Sequence, residues 1–181
     1  MKKTISPQTI LYPTPVVLVS CKDGEGKANI ITLAWVGTVC SEPPMVAIGV
    51  RPGRYSYKLI ADSKEFVVNI PTEDIVDKVE YCGIYSGKDV DKFKGTGLTQ
   101  ERAKKVKAPL IKECPVNIEC IVRNELALGT HQLFIGEVVA IDIDESIIDS
   151  DGRIDYKRAK PVVYNNGEYW SLGERLPIRH R

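Results

Sequence analysis

The sequence predicts a mainly β chain with helical insertions, its strands closing into an antiparallel barrel. Three observations carry this. Seven or eight mostly short β-rich runs are punctuated by turn chemistry; successive runs arrive as neighbours rather than alternating with regular helices; and only two segments read as helical. A doubly wound parallel sheet needs a crossover helix between strands and does not fit. No internal repeat, low-complexity segment or linker divides the 181 residues. A single domain over 1–181 is therefore expected, with its core at about 14–173 and a tail at 174–181.

Lys2 and Lys3 followed by apolar residues give the start a superficial likeness to a secretion signal. Pro7, Pro13 and Pro15 interrupt it and no small-residue cleavage pattern follows, so it reads as an extended lead-in. Val16–Cys21 alternates into Asp23-Gly24-Glu25-Gly26 and resumes near Ala28, which signals a hairpin. Strands Ile30–Val39 and Met45–Val50 follow, Pro43-Pro44 forcing extended backbone and limiting ladder bonds between them. Ser56–Ala61 reads as one or two helical turns and Glu65–Ile70 as a strand.

Thr72 is placed to cap a helix, with Glu73 and Asp74 in its first turn. Ile75, Val76, Val79 and Cys82 form its apolar stripe and Gly83 closes it. Ser86–Gly97 is Gly-punctuated and charged and reads as a loop. Thr99–Lys107 holds Arg102, Lys104, Lys105 and Lys107, a solvated helix or loop face without the aromatic residues that stack bases. Val116–Leu126 and Leu133–Asp144 are strands joined at Gly129, with Gly136 marking a bulge or a close backbone approach. After the turn Asp149–Gly152, the segments Pro161–Tyr164 and Glu168–Leu172 flank Asn165-Asn166-Gly167 as a closing hairpin. Leu176–Arg181 reads as a mobile tail.

Composition excludes several classes of function. A net charge of +1, from 25 basic and 24 acidic residues, gives no reason to expect nucleic acid or an anionic membrane as partner. No apolar run reaches the ~20 residues that span a bilayer. Five cysteines without a Cys-x-x-Cys pair, and only His131 and His180 beside them, argue against a metal site. Free thiols suit a reducing cytoplasm, and Cys82, Cys114 and Cys120 read as small core residues.

Arg51, Arg54 and Ser56 are the best phosphate candidates. Two guanidinium groups give charge-assisted bonds to phosphate oxygens, and Ser56 stands at a helix start whose free N–H groups favour an anion. The same residues also read as a helix cap flanked by solvated arginines. Thr38, Val39, Cys40 and Ser41 end a strand against the proline turn, where backbone groups can meet a ring's polar edge or simply end the strand. His131 begins a strand and can donate to a ring, shuttle a proton or act as a structural hydrogen-bonder. Ser86, Gly87, Lys88 and Lys92 can cover an anion from a loop, although Asp89 and Asp91 dilute that charge. Asp142 and Asp144 alternate as solvated strand residues would.

Four stretches together resemble the flavin reductase-like family of FMN-binding split barrels, and most closely its flavoredoxin branch. They are Asn29–Pro44 (NIITLAWVGTVCSEPP), Arg51–Tyr57 (RPGRYSY) with Glu65–Pro71 (EFVVNIP), Ser86–Phe93 (SGKDVDKF) and Thr130–Val138 (THQLFIGEV). Val163–Gly173 (VYNNGEYWSLG) is similar to that family's closing hairpin. The resemblance implies a homodimeric antiparallel split β-barrel holding FMN noncovalently near the subunit interface. It implies that Thr38, Val39, Cys40 and Ser41 line the isoalloxazine and ribityl chain. Arg51, Arg54 and Ser56 would take the phosphate with Tyr57 beside it, Ser86, Gly87 and Lys92 would approach from the loop, and His131 would stand at the reactive face as the catalytic candidate. Lys88 stands where similar sequences commonly carry arginine and is not assigned to the flavin; Asn29, Trp35, Tyr164 and Trp170 are left between site and packing roles. Two functions follow from the resemblance. One is a reductase moving electrons from NAD(P)H through FMN to flavin, ferric or other acceptors. The other is an FMN-containing carrier exchanging electrons with a protein partner without NAD(P)H. A barrel that has lost its flavin is a third reading, and the Arg51-Arg54-Ser56 cluster counts against it.

Overall fold

The computed structural model describes residues 1–177. Its strands are β1 (Thr14–Pro15), β2 (Val17–Lys22), β3 (Ala28–Leu33), β4 (Val36–Ser41), β5 (Pro44–Val50) and β6 (Glu65–Ile70), then β7 (Gln100–Glu101), β8 (Leu110–Ile111), β9 (Val116–Leu128), β10 (His131–Ile143), β11 (Val162–Asn165) and β12 (Glu168–Ser171). The helices are α1 (Tyr55–Ser63), α2 (Val76–Ile84), α3 (Lys92–Thr96) and α4 (Tyr156–Ala159), with 3₁₀ turns at Glu73–Ile75 and Glu145–Ile147. The expected tail lies partly at 174–177, which carry no regular structure, and partly at 178–181, outside the described residues.

Seven antiparallel strands in the order β3-β2-β6-β9-β10-β5-β4 make the main sheet. Strand alternation sends Val19, Cys21, Ile48, Val50, Phe66, Val68, Cys120 and Phe134 to one interior. β2 shows no polar alternation because its other face is covered too: Leu18 belongs to a second buried cluster with Ile75, Val79 and Cys82 around α2 and Phe93 from α3. Phe66 and Phe134 are fully buried, and truncating either to alanine would cost about 3–5 kcal/mol.

The expected strand Ile30–Val39 is two strands. β3 pairs with β2 while β4 pairs with β5 at the opposite end of the ladder, so the chain bends at Ala34-Trp35 to bring the two edges together. The amide of Gly49 donates to the Trp35 carbonyl at 2.8 Å across that junction. A Cβ on Gly49 would sit 3.2 Å from the Trp35 Cβ, which is why the smallest residue stands there. Pro43 and Pro44 do not limit the ladder as expected. β4 and β5 pair from Val36↔Ile48 to Ser41↔Pro44 with one register shift, the prolines falling at the turn and the strand's first residue.

Gly83 does not close its helix; α2 runs through it to Ile84. The missing side chain instead lets the helix lie on β3, where an added Cβ would reach Thr32 Cβ at 3.4 Å. The Ser86–Gly97 segment is not wholly loop. Asp91 caps α3 by accepting from the Lys94 amide at 3.1 Å, and Gly97 ends it at φ 67°. Thr99–Lys107 is not a helix: after the short strand β7 it is a loop, and that loop has a structural task. The amides of Lys104, Lys105 and Val106 donate at 2.8, 2.6 and 3.0 Å to the carboxylate of Glu119, which is fully buried on β9. Asp144 is exposed as expected but lies just past β10, capping a 3₁₀ turn, whereas Asp142 is half-buried against Lys104. Gly136 lies both at a register shift and 2.6 Å, counted from an added Cβ, from the Phe66 ring.

A second sheet, β1-β11-β12, is built from the two ends of the chain. Asn166 and Gly167 turn its hairpin with φ of 48° and 99°, the conformation that Asn-Gly favours. Among the described residues no helix is long and apolar enough to cross a membrane.

Candidate functional site

The strand β5 ends at Val50, and Arg51–Arg54 turns the chain into α1, the Arg54 amide donating to the Arg51 carbonyl at 2.9 Å. Arg54 is the N-cap residue, so Ser56 lies two positions past the cap, as the second residue of the helix. Ser56 is buried, and its oxygen accepts from Asn29 Nδ2 at 2.7 Å. That bond occupies the oxygen as acceptor, so the hydroxyl hydrogen is available to the neighbouring Cys21 sulfur or to an anion. Neither Arg51 nor Arg54 forms an ion pair among the described residues.

Two adjoining cavities open here. The smaller, about 120 Å³, is lined by Asn29, Arg54, Tyr55, Ser56, Ser86, Gly87 and Lys92, and among the described residues no carboxylate lines it. Gly87 is buried against Asn29: a Cβ there would lie 2.2 Å from Asn29 Oδ1 and 2.7 Å from Tyr55 Cδ1. Lys92 closes the back of this cavity. Its Nζ donates to the carbonyls of Ile30 and Cys82, each at 2.7 Å, and burial pushes its pKa down to about 8.

The larger cavity, about 440 Å³, shares Arg54, Ile31 and Gly83 with the smaller and adds Arg51 and His131. Its far wall is aromatic. Tyr12 lies 6.5 Å from Trp35 and 5.9 Å from Tyr164, and Tyr164 lies 6.0 Å from Tyr169, ring centre to ring centre. Tyr169 donates to Glu80 at 2.6 Å; burial and that carboxylate raise its pKa. Arg51 Nε donates to His131 Nε2 over a long 3.4 Å, and His131 Nδ1 lies 3.0 Å from Thr130 Oγ1. Burial, then the Arg51 charge, lowers the His131 pKa, so the imidazole is neutral at pH 7 with its Nε2 lone pair turned to Arg51.

The fold thus gathers Arg51, Arg54, Ser56, Ser86, Gly87, Lys92 and His131 around one pair of cavities. Thr38, Val39, Cys40 and Ser41 line neither; they lie largely exposed on β4, one of the two edge strands of the main sheet. Tyr57 turns toward the core and packs on Phe134 at 5.7 Å, while Tyr55 takes the cavity wall. Sequence reasoning did not assign Asn29 and missed Tyr12 and Tyr169. Tyr12 is delivered by pairing of β1 with β11, Thr14 facing Tyr164, and no local motif announces it. Among the described residues no cluster of three or more metal-ligating side chains occurs.

Comparison with known proteins agrees with this architecture. A family model described as the flavin reductase like domain matches residues 9–173. A protein of Archaeoglobus fulgidus described as uncharacterized is 35% identical over 166 residues, covering 92% of this chain and 93% of its own. The solved flavoredoxin of Desulfovibrio vulgaris (Miyazaki F) is similar at a TM-score of 0.93 and 36% identity, over 99% of this chain and 98% of that one. A flavoredoxin from Methanosarcina acetivorans gives 0.90 and 34%, over 100% and 97%. Nitrilotriacetate monooxygenase component B from Bacillus cereus, 21% identical with a TM-score of 0.88 over 98% and 100%, shares the fold. With the family model spanning nearly the whole chain, this protein belongs to the flavin reductase-like family.

Proposed function

We propose that this chain is a flavoprotein oxidoreductase that takes electrons from NAD(P)H and passes them through bound FMN to flavin, ferric or other acceptors. The observation that carries this reading is the pair Arg51 and Arg54, without carboxylate partners among the described residues, where a small polar cavity meets a larger aromatic-walled one. Two such cations favour an anion, and the volumes suit a flat ring system carrying a phosphate. Arg54 and the Ser56 hydroxyl, beside the amides of Tyr55 and Ser56 in the first turn of α1, would hold the phosphate. Ser86, Gly87 and Lys92 would enclose it from the other side. Thr38, Val39, Cys40 and Ser41 would offer the unused backbone groups of edge strand β4 to the ring.

Bound FMN supplies hydride and single-electron transfer, so the protein's part is to hold and orient it. His131 in its neutral form accepts from Arg51, which makes it a positioning residue for that guanidinium rather than a proton donor at Nε2. Exposed Val39 on β4, with Leu126 and Leu128 where β9 runs beyond β6 and pairs only with β10, supports a homodimer that covers these apolar side chains.

The test is a visible spectrum of the purified protein followed by anaerobic NADH or NADPH. A yellow protein bleached within a turnover time fits the reductase. The likeness to two flavoredoxins at 36% and 34% identity favours a second reading, an electron carrier for a protein partner. Yellow protein indifferent to both pyridine nucleotides would select that carrier. Colourless protein that refuses FMN would defeat both.

A further inference from the structure

Lysine is among the residue types least often buried, because its charge is expensive to desolvate. Lys92 is 4% exposed, and no carboxylate pairs with it among the described residues. Two backbone carbonyls, of Ile30 on β3 and Cys82 on α2, take two of its hydrogens at 2.7 Å each. A neutral amine then has only its lone pair left, whereas an ammonium has one N–H left. Lys92 also lines the smaller cavity, so a ligand there meets whichever of these the pH provides.

We propose that Lys92 takes up a proton when a phosphate monoester enters the smaller cavity, so that preference for a phosphorylated over an unphosphorylated flavin weakens as pH rises. The proton comes from solvent, no covalent bond to the ligand changes, and the added charge lies against the phosphate. This rests on the FMN reading above and deepens it. Burial pushes the Lys92 pKa down to about 8, and the Arg54 charge adds to that shift; an arriving phosphate offsets both. The other ionisable groups around it are Cys82 on α2, Cys21 on β2, Arg54 at the head of α1, and the phenols of Tyr55 and Tyr85 in the cavity wall. Burial pushes the thiols of Cys82 and Cys21 up to about 11 and about 12, so they remain protonated while Lys92 titrates. A phosphate monoester with a second pKa of about 6 is already a dianion above neutrality.

The experiment measures FMN and riboflavin affinities of the full chain between pH 7 and pH 9. The flavin ring is common to both ligands, so their ratio isolates the phosphate. With a free-state pKa near 8 raised beyond this window on binding, the FMN-to-riboflavin ratio should fall about tenfold from pH 7 to pH 9. Lys92→Met, which keeps the length of the buried stem, should lower the ratio and make it flat with pH. A flat wild-type ratio overturns the proposal and leaves the flavin reading intact. So does a pH dependence that persists in Lys92→Met. Should that variant not fold, NMR of ¹³C-lysine-labelled wild type decides: the Lys92 titration midpoint must rise on adding FMN, and an unmoved midpoint overturns the idea. FMN that fails to bind at any pH defeats the flavin reading and this proposal with it.

Discussion

The two cavities share a wall yet are built differently. In the smaller, several polar groups other than Arg54 are already tied before a ligand arrives: Asn29 to Ser56, Lys92 to two carbonyls, and the Gly87 backbone pressed on Asn29. In the larger, the one bond between its basic residues is the long contact of Arg51 with His131, and the aromatic rings come from distant parts of the chain. A pocket with locked rotamers fixes one end of a ligand with little ordering cost. A wall assembled from a lead-in strand and a terminal hairpin can adapt. On the proposed flavin reading, the contrast would give retention of the phosphorylated tail to the smaller cavity and the choice of electron partner to the larger.

Gly87→Ala is the strongest attempt to break that contrast. The new Cβ would fall within 2.2 Å of Asn29 Oδ1, so Asn29 must leave Ser56 or the loop must lift. Overpacking of this kind costs about 1–3 kcal/mol, and FMN affinity should fall by up to about a hundredfold together with the melting temperature. Gly53→Ala is the control: it lines the same cavity but meets nothing within 4 Å. Equal tolerance of both substitutions would show that the smaller cavity is not preorganised. Arg54→Ala comes next. Losing a charge-assisted phosphate contact of about 1.5–3 kcal/mol should weaken FMN binding some tenfold to a hundredfold and leave riboflavin nearly unchanged. Loss of affinity for both ligands alike would move Arg54 away from the phosphate.

The same contrast explains what was legible in the sequence. Turns whose chemistry is local, Asp23–Gly26 and Asn166-Gly167, announced their hairpins, and the Arg51-Arg54-Ser56 cluster was readable because strand, turn and helix start follow one another directly. The bend at Ala34-Trp35 was not, since both residues suit a strand and only barrel closure against Gly49 imposes the break. α3 was hidden because five residues carry no periodicity, and its Asp91 cap and Gly97 terminus look like loop chemistry. The burial of Lys92 was illegible for a related reason: nothing near it in sequence supplies the carbonyls of Ile30 and Cys82. The aromatic wall depends on β1 meeting β11, a contact between the two ends of the chain.

Ser56→Ala sharpens the comparison at lower amplitude. It removes the acceptor of a buried Asn29 amide, and an unmatched buried donor costs upwards of about 1 kcal/mol in stability. Denaturant unfolding of the ligand-free protein should show that loss. Tyr164→Phe, which trims a hydroxyl in the wall of the larger cavity, should show much less. A larger loss for Tyr164→Phe would reverse the assignment of which cavity is rigid.

The smallest expected effect is on the pH dependence contributed by His131. Burial and Arg51 lower its pKa in the folded chain, while the unfolded chain keeps a value of about 6.5. The unfolded state therefore takes up the proton first as pH falls. Stability that is complete above pH 6.5 must decline through the window below it, since there the unfolded state binds more protons than the folded one. Protonation also removes the Nε2 acceptor and sets a second cation against Arg51, so the loss reports on that contact. Urea midpoints at pH 7.5 and pH 5.5 check this against His131→Gln, which retains a polar side chain that does not titrate. The wild type should lose more on acidification than the variant, by a margin small beside that of Gly87→Ala because the site is half-open to water. Identical losses in the two proteins would mean that His131 does not hold Arg51, and the larger cavity would then lack even this one ordered contact between its basic residues.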